Sequence, residues 1–347
     1  MKYSLLGNTE LKVSKICLGT MTWGEQNTQN EGFEQMDHAL ASGVNFFDAA
    51  EMYPVPPKVE TQGETERIIG NWFKKTGNRN KVIIATKITG KSEGFRHVRG
   101  GELPTYDKKN IEYALNENLK RLQTDYIDLY QLHWPDRKTN TFGQLGYNHD
   151  DSDKFISLKE TLEILNGFVK QGKIRHIGLS NETPWGVMDA IRSSEQHGLP
   201  RIVSVQNPYS LLNRSYEVGM AEVSIRENCG LLAYSPLAFG VLSGKYLNGN
   251  TPPKGRLTLY SRFTRYRGEK AEAATERYAA IAKDFGLTPT QMALAFVNSR
   301  RFLTSNIIGA TSIEQLKENI ESIDVELPDE VLQEIEKVHH DIPNPCP

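Results

Sequence analysis

Short apolar runs alternate with helix-periodic segments along most of this 347-residue chain. A run such as residues 44–48 is almost continuously apolar, as in parallel strands that are buried on both faces. Eight such runs predict strands at residues 15–20, 44–48, 81–86, 126–132, 174–179, 201–206, 230–234 and 305–308. Because no linker-like break separates the units, the alternation favours one α/β domain over residues 1–347, a (β/α)8 TIM barrel. A doubly wound open sheet gives the same alternation, so the strand count alone leaves both folds open.

Local signals add an N-terminal β-hairpin and extra helices to this architecture. Gly7-Asn8 is a turn signal between two short runs within residues 1–15. Three residue pairs have the spacing of helix starts, namely Thr61 with Glu64, Thr183 with Pro184, and Thr311 with Glu314. Residues 236–268 show no clear periodicity, which predicts a long functional loop. Further helices are expected near residues 214–228, 270–285, 289–299 and 329–339.

The composition argues against several classes of function. The net charge is -2 and no basic block occurs, so neither nucleic acid nor a membrane is an expected partner. No stretch approaches the roughly 18 apolar residues of a membrane span, and the N-terminus lacks the apolar segment of a signal peptide. Cys17, Cys229 and Cys346 have no CxxC spacing, so neither a disulfide framework nor a metal site is expected. These features predict a cytoplasmic protein without a bound metal.

Four polar side chains follow three of the predicted strands at their C-terminal ends. Asp48 ends one strand and Tyr53 comes five residues later, while Lys87 and His133 each follow a later strand. The C-terminal strand ends of a barrel meet on one face, where catalytic residues of such folds lie. A tyrosine phenol titrates near ~10, and an ammonium group beside it is expected to lower that pKa. Such a set of side chains can protonate an oxygen on which charge develops, as when hydride reaches a carbonyl carbon.

These residues, in this order and spacing, resemble the catalytic tetrad of the aldo-keto reductase superfamily. The resemblance extends from residues 18–21 to residues 308–311, and residues 51–57 and 206–215 are similar to the bacterial Tas-type branch. It implies a (β/α)8 barrel and NADPH-dependent reduction of an aldehyde or ketone, with a small-molecule carbonyl substrate as partner. In that reaction Tyr53 would be the general acid, Lys87 and Asp48 would adjust its pKa, and His133 would orient the carbonyl.

The same resemblance implies a cofactor site, although no GxGxxG motif of a Rossmann site occurs. Tyr234 matches the aromatic residue that stacks on the nicotinamide, and Ser180, Asn181 and Gln206 match residues that hold the carboxamide. The segment that wraps the nicotinamide and pyrophosphate continues through Ser235, Pro236, Leu237, Ala238, Phe239, Gly240, Val241, Leu242, Ser243, Gly244 and Lys245. The adenosine end corresponds to Gly309, Thr311, Gln315, Glu318 and Asn319. Residues 309–319 contain no obvious basic residue that could bind the 2′-phosphate of NADPH. Arg256 and Lys254 of the long loop are therefore the candidates for that contact.

Two insertions, residues 88–106 and 136–157, follow the third and fourth strands on the face expected to be catalytic. Loops in this position set substrate choice on the barrel scaffold. They contain several rings, namely Phe95, His97, Tyr106, Phe142, Tyr147 and His149. Trp23 and Trp134 are expected to line an apolar substrate pocket beside Tyr53.

Two other functions remain alternatives at this point. The chain could be a nicotinamide-binding regulatory subunit with vestigial catalysis, similar in role to the potassium-channel β subunits of the same superfamily. It could also be a barrel hydrolase or aldolase that uses Lys87 as a Schiff base. The physiological substrate, the reaction direction, the strength of preference for NADPH over NADH and the oligomeric state stay open.

Overall fold

Eight parallel strands close into a barrel in the computed structural model, which describes all 347 residues. Each barrel strand pairs with the next one in chain order, and the last pairs with the first. This closure confirms the (β/α)8 barrel and excludes the open sheet. The strands are β1 Tyr3–Leu5 and β2 Lys12–Ser14 of an antiparallel hairpin, then β3 Ile16–Gly19, β4 Phe46–Asp48, β5 Ile83–Ile88, β6 Ile127–Leu132, β7 Ile174–Ser180, β8 Ile202–Pro208, β9 Gly230–Tyr234 and β10 Leu303–Ile308.

Helices cover the outside of the barrel, and most of them bury one face. In the second helix, for example, Ile68, Ile69, Trp72 and Phe73 recur at helical spacing and are all buried. The helices are α1 Gln29–Ala41, α2 Glu64–Thr76, α3 Lys108–Leu122, α4 Leu158–Lys170, α5 Pro184–His197, α6 Met220–Arg226, α7 Arg256–Leu259, α8 Glu269–Asp284, α9 Pro289–Asn298, α10 Ile313–Glu321 and α11 Asp329–Asp341. None of them is long and apolar enough to cross a membrane.

The N-terminal hairpin covers the end of the barrel opposite the C-terminal strand ends. Leu6 and Val13 are fully buried and share a small apolar cluster with Cys17, Phe46 and Leu129 of the barrel strands. The turn at Gly7 has a φ of +57°, and a Cβ there would lie 2.6 Å from the carbonyl oxygen of Val203. Glycine is therefore required for both the turn and the close approach.

Some local predictions differ from the structure. Thr61 does not cap α2, because its hydroxyl donates to Glu25 and the N-cap position is Gly63 with a φ of +79°. The N-cap of α10 is Ser312, one residue after the predicted Thr311. The helix expected around 214–228 is a 3-10 helix at Ser215–Val218 followed by α6 at Met220–Arg226. Thr183 caps α5 as predicted, and Pro184 opens it.

Candidate active site

The side chain of Lys87 lies at the centre of the four residues that end the strands. Its Nζ donates to Asp48 Oδ2 at 2.6 Å and to the carbonyl oxygen of Ala49 at 2.8 Å. The Tyr53 hydroxyl lies 3.4 Å from the same nitrogen, and the rings of Tyr53 and His133 meet edge to face at 6.0 Å. The structure therefore brings all four predicted side chains into one cluster.

The barrel register explains this convergence. Asp48 is the last residue of β4, Lys87 lies near the end of β5, and His133 directly follows β6. The His133 amide donates to the carbonyl oxygen of Ile88, which extends the parallel pairing by one residue. Tyr53 reaches the same point from the loop after β4, where its amide donates to the carbonyl oxygen of Ala50.

Two buried amides hold the other oxygen of the Asp48 carboxylate. Gln206 Nε2 donates to Asp48 Oδ1 at 2.8 Å, and Gln131 Nε2 donates to the same atom at 3.1 Å. Sequence reasoning assigned Gln206 to the cofactor and missed Gln131. A signal for Gln131 exists, because it is a polar residue in a buried strand and lies on the same face as His133, two residues later.

Burial decides the proton affinities in this cluster. Burial raises the pKa of Tyr53 above its ordinary value, and the Lys87 ammonium opposes that effect without overcoming it. The expected lowering of the phenol pKa is therefore wrong for the chain on its own. Burial is the largest effect on Lys87 and acts to lower its pKa, but the Asp48 carboxylate and the Tyr53 hydroxyl together outweigh it and the pKa is raised. Burial, and to a lesser extent Lys87, lower the pKa of His133 well below its ordinary value.

At neutral pH these shifts leave a protonated phenol, an ammonium group and a neutral imidazole. A protonated Lys87 held by three contacts is a poor nucleophile, which argues against the Schiff-base alternative. The phenol retains a proton that it can donate. The cluster therefore suits proton donation to an oxygen held beside Tyr53 and His133.

A cavity of about 1220 Å³ opens above this cluster. Asp48, Tyr53 and His133 line it, whereas Lys87 is fully buried beneath it. It is also lined by most of the predicted cofactor residues, namely Ser180, Asn181, Gln206, Tyr234, Ser235, Pro236, Leu237, Phe239, Gly240, Ser243, Lys245, Gly309, Thr311, Gln315, Glu318 and Asn319. Four predicted residues do not line it. Ala238, Val241 and Leu242 pack in the core, and Gly244 forms a turn with a φ of +78°.

Polar groups from three strand ends meet near the tetrad. The Tyr234 hydroxyl donates to Asn181 Oδ1 at 2.7 Å, and Asn181 Nδ2 donates to the His133 carbonyl oxygen at 2.9 Å. Ser180 Oγ donates to the Gln206 carbonyl oxygen at 2.9 Å. Asn181 has a φ of +52°, and residues 238–240 have positive φ in succession. Backbone strain of this kind is typical of ligand-binding segments.

Cationic groups lie at another part of the cavity. Lys245 and Arg256 both line the cavity, and neither forms an ion pair with an acidic residue. Burial, and secondarily the Arg256 charge, lower the pKa of Lys245. Arg256 lies over the ring of Phe239, with its Cζ 5.2 Å from the ring centroid. Unneutralised cations in a concave site fit a ligand that brings phosphate charge. At the rim, Gln315 accepts from the amide of Thr311, and Asn319 donates to the Gly309 carbonyl oxygen.

The two insertions contribute rings to the cavity wall near His133. The Trp134 ring lies 4.7 Å from His133, 5.5 Å from Phe95 and 5.9 Å from Phe142, between centroids. Tyr106 supports this wall from inside, because its buried hydroxyl donates to the Trp134 carbonyl oxygen at 2.6 Å. His97 packs on Phe95, whereas Tyr147 and His149 contact each other on the exposed surface.

The expectation that Trp23 lines the pocket is wrong. Its side chain is fully buried and its Nε1 donates to Gln35 Oε1 of α1 at 3.1 Å. The ring packs against Gly32, where a Cβ would lie 3.2 Å from the indole. Trp23 therefore belongs to the layer between the barrel and its helices, and Trp134 alone of the predicted pair lines the cavity.

Comparison with known proteins gives a consistent set of relatives. The model of the "Aldo/keto reductase family" matches residues 15–340. Protein tas of Escherichia coli K12 is 54% identical over 348 residues, which cover 100% of both chains. The "Uncharacterized oxidoreductase YrpG" of Bacillus subtilis 168 is 35% identical over 96% of this chain and 94% of its own. An "Aldo-keto reductase" of Babesia bovis is 41% identical over 70% of this chain and 89% of its own.

Proposed function

This chain belongs to the aldo/keto reductase family, and from that premise we propose that it is an NADPH-dependent oxidoreductase that reduces aldehydes or ketones to alcohols. Its substrate is a small carbonyl compound. The observation that carries the proposal is the contact of Lys87 Nζ with both Tyr53 and Asp48 at the floor of a large cavity. A binding module without catalysis has no need for a buried ammonium group against a phenol.

Each of the four side chains has a defined task in this reaction. Tyr53 donates its proton to the carbonyl oxygen as negative charge develops there. The Lys87 ammonium stabilises the phenolate that remains, and Asp48 keeps that ammonium charged and in place. His133 is neutral at working pH and donates a hydrogen bond that holds the carbonyl oxygen beside the phenol.

The chemistry of the cavity supports a nicotinamide dinucleotide. Tyr234 and Asn181 offer an aromatic face and an amide near the tetrad, where the nicotinamide and its carboxamide would bind. Lys245 and Arg256 offer unneutralised cations for the pyrophosphate and a 2′-phosphate. When bound, a reduced nicotinamide supplies hydride to the carbonyl carbon. The chain's own residues bind it, orient the carbonyl and deliver the proton.

The reaction is tested with the Tyr53→Phe variant. Removing the phenol hydroxyl is expected to lower kcat for reduction of a reactive aldehyde by ~100-fold or more, the usual size of a general-acid contribution. NADPH binding, measured by titration calorimetry, is expected to stay within about twofold. The exposed Tyr113→Phe variant is the control and keeps wild-type turnover. Unchanged turnover in Tyr53→Phe refutes the assigned mechanism.

The cofactor preference has a separate test. Arg256→Met is expected to raise the KM for NADPH by about tenfold and to change the KM for NADH much less, because only NADPH carries the 2′-phosphate. Equal effects on both cofactors contradict the role of Arg256.

We also propose a reducing, cytoplasmic setting, supported by three buried cysteines that form no disulfide.

A further inference from the structure

Arg265 is a partly buried arginine that faces the cavity and forms no ion pair with an aspartate or glutamate, although its Nε and the backbone oxygen of Pro347 both lie against Gly143. Its Nη1 makes a long contact of 3.5 Å with the Tyr234 hydroxyl, and the Tyr266 hydroxyl also interacts with the guanidinium. Three other cations of the cavity lining are neutralised by carboxylates, in the pairs Lys91 with Asp153, Arg137 with Glu182, and Lys138 with Asp150, whereas Lys254 and Arg262, like Lys245 and Arg256, form no ion pair. A guanidinium group that is withdrawn from water without a counter-charge is costly, and a bound anion removes that cost.

The surroundings of Arg265 connect it with the tetrad. Its Cζ lies 5.9 Å from the ring centroid of Phe142, and Phe142 meets Trp134 edge to face at 5.9 Å. Trp134 in turn lies 4.7 Å from the His133 ring. Two aromatic rings thus separate the guanidinium from the residue proposed to hold the carbonyl oxygen. A planar substrate can lie along these rings with its carbonyl at His133 and its far end at Arg265.

We propose that Arg265 binds a carboxylate on the carbonyl substrate, so that the substrates of this enzyme are aromatic or otherwise planar aldehydes and ketones that carry an acid group. The inference rests on the proposed reductase function. Arginine suits the task because its planar fork pairs with a carboxylate through two parallel hydrogen bonds. The phenylalanine and tryptophan rings add apolar contact along the length of the substrate.

A phosphate of the cofactor is a second possible source of negative charge for Arg265. The structure favours the substrate, because Arg265 lies beside Phe142 of the aromatic wall, whereas Lys245 lies against Gly240 and Arg256 over Phe239. The contact of Arg265 with Tyr234, at the nicotinamide end of the proposed cofactor site, fits either source. Lys245 and Arg256 therefore lie beside the glycine-containing segment, and Arg265 lies beside the aromatic wall. The experiment below separates the two sources.

The test compares 4-carboxybenzaldehyde with 4-formylbenzamide, which has the same shape and no charge. In wild-type enzyme the acid is expected to have the higher kcat/KM. In Arg265→Met the acid-to-amide ratio of kcat/KM is expected to fall about tenfold or more, the usual effect of losing a charge-assisted hydrogen bond. Arg301→Met removes an exposed arginine that lies outside the cavity lining and keeps the wild-type ratio. An unchanged ratio in Arg265→Met overturns the proposal, and a raised KM for NADPH with an unchanged ratio assigns Arg265 to the cofactor instead.

A direct measurement of aldehyde binding tests the same proposal without relying on turnover. Calorimetric titration of both aldehydes into protein with NADP⁺ is expected to show weaker acid binding in Arg265→Met, by about tenfold, with amide binding close to wild type. If neither aldehyde is reduced but this pattern of binding holds, the reductase function fails and the anion site stands. Equal weakening of both ligands counts against the site, because a general disturbance of the loop affects acid and amide alike.

Discussion

Glu51 and Arg99 form a buried, two-pronged ion pair that joins the loop of Tyr53 to the insertion after β5. Arg99 Nη1 donates to Glu51 Oε2 at 2.9 Å, and Nη2 donates to Oε1 at 3.0 Å. The Thr89 amide donates to the same carboxylate, and Arg99 Nε donates to Asn110 of α3 at 2.9 Å. The pair thereby fixes the loop between Asp48 and Tyr53 to the insertion after β5 and, through Asn110, to α3.

Breaking this pair is expected to cost stability and activity together. Arg99→Met leaves the Glu51 carboxylate buried and unpaired, so the free energy of unfolding in urea should fall by about 3–5 kcal/mol. The kcat should fall as well, because the Tyr53 loop loses its attachment. Arg96→Met is the matched control, since the Arg96–Glu93 pair lies in the same insertion but is exposed, and a change below about 0.5 kcal/mol is expected there. Equal losses in both variants contradict a special role for the buried pair.

Lys87→Met is expected to abolish turnover and to destabilise the fold. Asp48 keeps its amide contacts but loses the one cation that balances its buried charge, which costs about 3–5 kcal/mol in the free energy of unfolding. Adding Asp48→Asn should recover much of that stability without restoring activity. Lys74→Met, on an exposed face of α2, serves as the control. A wild-type unfolding midpoint in Lys87→Met counts against the ion pair as a stabilising contact.

His133 is expected to make the protein less stable as the pH falls below about 6.5, the ordinary pKa of an unfolded histidine. Because the folded-state pKa of His133 is lowered, the unfolded chain binds a proton in this range that the folded chain does not. The free energy of unfolding then falls by up to about 1.4 kcal/mol per pH unit from this group. His133→Gln should show a shallower decline between pH 6.5 and 5, while the exposed His340→Gln should follow the wild type. Parallel curves for His133→Gln and the wild type contradict this assignment.

Two glycines in helices are expected to respond to alanine in opposite directions. At Gly70 of α2 a Cβ would lie 2.2 Å from the Arg121 carbonyl oxygen of α3, so Gly70→Ala must push two helices apart. A loss of about 2 kcal/mol or more is expected in urea unfolding. At Gly167 of α4 nothing lies within 4 Å, and Gly167→Ala should gain up to about 1 kcal/mol from helix propensity. Destabilisation by Gly167→Ala is the outcome that contradicts this comparison.

Much of the architecture follows from local sequence patterns. Continuous apolar runs predict buried parallel strands, and the helix between each two strands forces the crossover that builds the barrel. The grouping of Asp48, Lys87 and His133 follows from the same pattern, because every parallel strand ends on the same face. Strand bounds shift by a few residues, as for the last strand, which begins at Leu303 rather than at residue 305. The periodicity of apolar residues along the sequence is enough to predict these features.

The remaining features depend on contacts between distant segments. Trp23 lies under α1 rather than in the cavity, and the side-chain direction of a loop residue is decided by what packs around it. Glu51 and Arg99 are 48 positions apart, and neither has a sequence signal that names the other. The pKa of Tyr53 depends on the balance between burial and the Lys87 charge, and only the packed barrel sets how much water is excluded. The sequence by itself determined which chemical groups reach the mouth of the barrel, whereas the tertiary structure decided their protonation and their partners, because burial and pairing depend on distances in space and not along the chain.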